Sequence, residues 1–341
     1  MSKKSKIILF AIGLTIFTYL VWDFGLDNIL SNLHKTGWYF IPVIGVWAFV
    51  YLFNALAWRF IIGNNKQNIL FHKIFSLTIS GFAINYITPF VGLGGEPYRI
   101  GELKGQLGTS RAVSSTILYS MIHFLSSFMF WILIIFLVLI SLTLTMATKV
   151  SLIIALVFFL VITYFFITRH KKGILKSLFN ITLKIPFINR VTGPLSKKEE
   201  SIQIIDDQIT DLYLNRKLNF YLALFSEIIS RIIGSLEYLF ILRAIGIDIT
   251  FYEALYINAV SAFIINLFFF MPLELGSREG GLVLVLESLN IASSLGIYVG
   301  LVNRIRELFW ILIGLILIAL SGKKTNQELL TEVNYEKSTF I

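Results

Sequence analysis

Apolar residues along the chain fall into long blocks separated by short polar joints. The blocks cover 7–22, 38–62, 74–93, 112–140, 150–168, 218–243, 254–273 and 295–321, and a weaker apolar stretch lies at 279–292. From Ile117 to Ile140 there is no Asp, Glu, Lys or Arg. A helix rises ~1.5 Å per residue, so about 20 apolar residues cross ~30 Å of hydrocarbon. The core helix of a soluble protein does not need that length. The pattern predicts an all-α polytopic membrane protein with six to eight transmembrane helices.

The polar joints carry the orientation. Lys3, Lys4 and Lys6 precede the first block, and Arg59, Lys66 and Lys73 flank the end of the second. Residues 169–217 hold ten Lys/Arg against five acids, and Lys323 and Lys324 follow the last block. Basic joints stay on the cytoplasmic side. Eight full spans would place the N-terminus and the 169–217 loop on opposite faces. Six spans plus two re-entrant segments, 74–93 from the inside and 254–292 from the outside, make every basic joint cytoplasmic. The expected layout is a membrane domain over 1–322 with a cytoplasmic basic, amphipathic loop at 169–217, and a short cytoplasmic tail over 323–341. The N-terminus is then cytoplasmic, in a cytoplasmic (inner) membrane. The Lys-rich start resembles a secretory signal, but no small-x-small site precedes Trp22-Asp23-Phe24, so an uncleaved first helix is expected.

The two irregular segments resemble each other. The first runs from Asn85 through Thr88-Pro89 to Gly94-Gly95-Glu96 and Arg99; the second runs from Asn266 through Pro272 to Gly276, Arg278-Glu279 and Gly280-Gly281. Proline removes a backbone donor and breaks the helix, and glycine permits the turn that follows. Pro89, Gly94, Gly95, Pro272, Gly276 and Gly280 are therefore candidate helix-break positions. Paired breaks in the two halves of a membrane protein point to a binding site on an inverted repeat; two ordinary proline-kinked helices are the alternative. In the 169–217 loop, Ile202, Ile205, Ile209 and Leu212 recur at helical spacing among five acids, which predicts an amphipathic surface helix.

Composition narrows the chemistry. Only 14% of the 341 residues are charged, against roughly a quarter in soluble domains. The net charge of +9 lies in the joints between blocks, so it points to orientation and anionic headgroups rather than nucleic acid. Cysteine is absent, and the four histidines (34, 72, 123 and 170) have no metal-ligand spacing. No nucleotide loop or HExxH motif is present, so no catalytic residue, cofactor or metal is expected. Charges inside apolar blocks are costly and need partners or a polar cavity. They are Glu227, Arg231 and Glu237 in the sixth block, and Arg304, Arg306 and Glu307 in the last; Glu96, Arg99, Arg278 and Glu279 flank the breaks. Glu227 and Arg231, four apart on one helix face, suit packing at least as well as function. Glu96, Arg99, Arg278, Glu279 and Arg304 form the candidate substrate-binding set. With arginines in surplus beside helix N-termini, the expected ligand is the phosphate of a lipid headgroup.

Thr88-Pro89 with Gly94-Gly95-Glu96-x-x-Arg99, then Pro272-x-x-x-Gly276-x-Arg278-Glu279-Gly280, then Arg304 followed by Gly314, resembles the transmembrane domain of the lysylphosphatidylglycerol synthase family over roughly Ile7 to Gly322. That family includes the membrane half of the multiple peptide resistance factor and stand-alone, flippase-like proteins. The resemblance implies a protein that translocates or handles phospholipids or lipid-linked substrates. Its partners would be membrane lipid and a lipid-modifying enzyme, such as a phosphatidylglycerol lysyltransferase or a polyprenyl-linked glycosyltransferase. The two-domain synthases carry a cytosolic acyltransferase-like domain after the membrane domain. Here Lys323 to Ile341 is too short for one, so aminoacyl transfer by this chain is not expected.

Overall fold

In lipid a backbone has to satisfy its own hydrogen bonds, which leaves helices for a chain of unbroken apolar blocks. The computed structural model describes residues 14–15, 18–19, 22, 25–63, 69–88, 94–141, 145–169, 199–268, 274 and 276–339. Among these residues every regular element is helical. They are α1 (Leu26–Thr36), a 3-10 turn (Gly37–Tyr39), α2 (Phe40–Ile62), α3 (Phe71–Ile87), α4 (Gly95–Leu107), α5 (Thr109–Ser141), α6 (Met146–Arg169), α7 (Glu199–Leu214), α8 (Lys217–Gly234), α9 (Leu236–Ala244), α10 (Phe251–Leu267), α11 (Ser277–Ser288) and α12 (Leu295–Thr339).

Leu30–Ile62 and Thr109–Ser141 are long and apolar enough, on their own, to cross a membrane. Elsewhere charges or breaks interrupt the pattern. The sixth block is two helices, α8 and α9, jointed at Ser235. Asn258 of α10 reaches into that joint, donating to the Arg231 carbonyl at 3.0 Å and to Ser235 Oγ at 2.9 Å. A side chain inserted at a helix carbonyl is a recognised cause of such a bend.

Both irregular segments fold as antiparallel helical hairpins. In the first, α3 and α4 meet base to base where Lys73 Nζ donates to Gln106 Oε1 at 2.9 Å, and near the tip where the Gly95 amide donates to Asn85 Oδ1 at 2.6 Å. In the second, α10 and α11 meet where Ser288 Oγ contacts Tyr256 Oη at 3.3 Å and where Gly281 lies against Ile264. Gly94 and Gly95 open α4; Gly276, at φ +79°, precedes α11, and Gly280 lies inside it. Pro89 and Pro272 fall outside the described residues. Of the amphipathic reading at 169–217, α7 is the described helix; Leu212 is buried there, and the positions of 170–198 are outside the description.

The packing brings the halves together. α8 lies along α2, and α12 runs against both α3 and α11. A Cβ on Gly314 of α12 would overlap that of Ala83 on α3, so the glycine lets these two backbones approach closely. One apolar cluster gathers Trp58, Ile74, Leu103, Tyr119 and Leu315; a second gathers Val43, Ile134, Ile241, Ile257 and Val299.

Candidate functional site

α2, α3, α5 and α8–α12 enclose a cavity of about 290 Å³. At one end the acceptor is Glu237 of α9, 1% exposed. Arg306 of α12 grips it with both prongs, Nε to Oε1 at 2.9 Å and Nη2 to Oε2 at 3.2 Å. Trp47 of α2 donates to the same carboxylate at 2.6 Å, and the Arg306 guanidinium lies 3.7 Å from the Trp47 ring centre. This combination of a bidentate bond and a ring face holds a guanidinium well away from water. Arg278 of α11 sits beside it, paired with Glu307 at 2.6 Å and with Glu274. Arg306 also approaches Glu307 at 3.6 Å, so one chain of charges links α9, α12 and α11.

Behind the lining residues Asn54, His123 and Arg231 lies Glu227 of α8, which is wholly buried. His123 of α5 meets it at 2.7 Å, and Asn54 of α2 donates to it at 3.0 Å. Arg231 is four residues on. Its Nη2 bonds the His123 carbonyl at 2.7 Å and its Nε the Ser126 hydroxyl at 3.0 Å, while Glu227 is 4.0 Å away. Arg231 thus ties α8 to α5 and still lines the cavity.

The sequence-derived residues occupy different places. Arg278 lines the cavity. Arg304 and Glu279 pair with each other at 2.7 Å outside the lining, and Glu279 also accepts the Gly276 amide at 3.0 Å. Arg99, 1% exposed, stands apart behind Phe82 among three rings: Phe82 at 4.9 Å, Tyr119 at 5.3 Å and Trp58 at 5.4 Å. Glu96 is 3.6 Å from it. Two expectations change. The lining holds Arg231, Arg278 and Arg306 against Glu237, Glu274 and Glu307, so cations and anions are matched rather than arginine being in surplus. One amide at each hairpin break, that of Gly95 and that of Gly276, is capped from within, by Asn85 and by Glu279, rather than left to face an anion.

Residues the sequence-derived site omits include Trp47, Asn54, His123 and Glu274. Asn54 and His123 are the single strongly polar residues in long apolar runs, and that isolation is the signal that marks them. A family model described as the lysylphosphatidylglycerol synthase TM region matches residues 6–314. The chain belongs to that family. As a lysylphosphatidylglycerol synthase TM region it is a polytopic α-helical membrane protein, and the whole charged cavity lies inside the matched span. No curated protein and no solved structure matches the chain.

Proposed function

We propose that the protein binds the headgroup of a phosphate-bearing lipid in the central cavity and carries it across the cytoplasmic membrane. One observation supports this above others: six matched charges line a cavity inside an apolar bundle. Each buried ion in such surroundings costs several kcal/mol unless partnered, and a purely structural bundle would do better with apolar contacts. The matching of charges refines the ligand. A headgroup that carries phosphate together with an ammonium exchanges partners one for one, phosphate to Arg278 or Arg231 and ammonium to Glu274 or Glu307. A lone anion would strand a glutamate. A zwitterionic phospholipid headgroup, with one phosphate and one ammonium, has that character. The antiparallel hairpins support a layout of six spans plus two re-entrant segments.

The test is lipid movement in proteoliposomes containing the full chain and a headgroup-labelled phospholipid, read by quenching of the outer leaflet. Ala262 of α10 lines the cavity. Ala262→Trp fills that space without substituting a charged residue. The expected result is protein-dependent movement that Ala262→Trp reduces at least tenfold with the melting temperature preserved. Undiminished movement by the folded variant overturns the reading.

A further inference from the structure

A second cavity, of about 750 Å³, opens at the far end of α2 and is separate from the central one. The residues lining it include Arg59 and Gly63 of the α2 terminus, Arg111 of α5, Gln208 and Asp211 of α7, and Arg216 at the start of α8. Part of this arrangement is a helix cap. The last carbonyls of α2 have no partner within the helix. Asn219 donates to Phe60 O at 3.0 Å, Arg216 to Ile61 O at 3.1 Å, Arg111 to Ile62 O at 3.3 Å and Arg59 to Gly63 O at 2.7 Å. Gly63, at φ +68°, leaves room for the Arg216 guanidinium, which a Cβ there would overlap.

Capping does not account for the charge or the space. Among the described residues, three arginines and one carboxylate line the cavity, and that carboxylate, Asp211, holds Arg216 Nε at 3.0 Å. One arginine is enough to cap a helix end, and an anion among three of them would relieve their mutual repulsion. A guanidinium has five N–H donors; the bonds just named use one on Arg59 and two on Arg216. The volume lies within the usual range of small-molecule sites, roughly 300–1,000 Å³. Planar guanidinium forks match phosphate oxygens in pairs.

We propose that this basic cavity is a second binding site, specific for a phosphate group and held by Arg59, Arg111 and Arg216. It is independent of the central cavity and of the transport reading. The phosphate could reach it on a lipid headgroup or as a free ion, and the experiment separates the two. Purified full-length protein in dodecylmaltoside is titrated calorimetrically with dihexanoyl phosphatidylglycerol and, separately, with inorganic phosphate. Two variants alter the cavity's charge with little change of shape. Gln208→Glu adds a negative charge, and its carboxylate still accepts the bond that Ser114 Oγ gives to Gln208. Asp211→Asn removes a negative charge and keeps an oxygen for Arg216, giving up only the exposed bond from Asn215. Gln208→Glu is expected to weaken binding roughly tenfold and Asp211→Asn to tighten it several-fold, both with unchanged melting. Binding of the lipid alone assigns a headgroup presented by the membrane; binding of both assigns the phosphate group itself. Failure of both probes to bind, or a shift of both variants in the same direction, overturns the site and leaves only the helix cap.

Discussion

The two hairpins start from similar sequence and place their arginines in opposite surroundings. Arg99 of the first lies in a cage of aromatic rings, with its Nη2 on the Thr78 carbonyl at 3.3 Å and Glu96 the neighbouring acid at 3.6 Å. Arg278 of the second lies between Glu274 and Glu307 and faces the cavity. Both side chains are almost fully buried. The cause is the neighbouring helix. α3 presents Gly81 and Phe82 to Arg99, whereas α12 presents Glu307 to Arg278. A guanidinium buried against rings is a packing element, and one buried against carboxylates beside a cavity can exchange partners. The pairing of the hairpins in sequence therefore does not carry over into paired surroundings.

The sharpest break would be in topology. If the hairpins are inverted copies, their bases face opposite sides of the membrane. The chain has no native cysteine, so single-cysteine labelling is clean. Cysteine at position 104, on α4, is expected to react with an impermeant maleimide only from the cytoplasmic side. Cysteine at 248, just before α10 where the Asp248 side chain is 95% exposed, is expected to react only from outside. Labelling of both from one side would end the inverted relation.

Next come the two arginines themselves. Arg278→Gln keeps a donor near Glu307, which retains Arg306 at 3.6 Å, so the fold is expected to survive. Lipid movement should fall by tenfold or more. Arg99→Gln removes three ring contacts, each worth roughly 0.5–2 kcal/mol, and should lower the melting temperature while activity per folded molecule stays within about twofold. Detergent melting curves run beside the transport assay separate the two. The reverse pattern, with Arg278 important only for stability, would make the carboxylate clamp a packing network.

Glycines extend the comparison at smaller scale. A Cβ on Gly81 would overlap the Arg99 guanidinium, whereas at Gly280 nothing lies within 4 Å. Gly81→Ala is expected to destabilise by about 1–3 kcal/mol, the usual range for overpacking. Gly280→Ala, inside α11, is expected to be neutral or to stabilise by up to ~1 kcal/mol through helix propensity. Chemical denaturation in mixed micelles reads both. Equal losses would mean that the first hairpin is no tighter than the second.

Much of this was legible in the sequence, and the rest was hidden for identifiable reasons. The apolar blocks gave the helical membrane class, and the Asn, Gly and charged residues around 85–99 and 266–281 marked both hairpins. The intramembrane charges at 227, 231, 237, 306 and 307 were visible as unusual. Their partners were not, because Trp47 meets Glu237 across 190 residues and His123 meets Glu227 across 104. No local spacing encodes such pairs. Counting arginines near the breaks suggested a cationic site; of the matching acids, Glu237 comes from another position in the fold, and Glu274 lies in the second break itself, four residues before Arg278. Arg59, read only as a marker of orientation, turned out to line the basic cavity.

The finest distinction rests on the asparagine that each hairpin carries before its break. Asn85 crosses from α3 to accept the Gly95 amide at 2.6 Å, so it caps α4 from outside that helix. Asn266 donates to Ala262 O, at 2.7 Å on its own helix, and its side chain borders the central cavity. A lost N-cap costs about 1 kcal/mol, and the loss here also loosens the contact between α3 and α4. A side chain bonded within its own helix adds little to stability, because the carbonyl it meets is already a helical acceptor. Asn85→Ala is therefore expected to lower stability by about 1 kcal/mol with little change in lipid affinity. Asn266→Ala should leave stability within ~0.5 kcal/mol and weaken lipid binding only two- to threefold. Melting and titration on the two purified variants resolve effects of this size. Equal destabilisation by both would mean that the second hairpin also depends on its asparagine as a structural clasp.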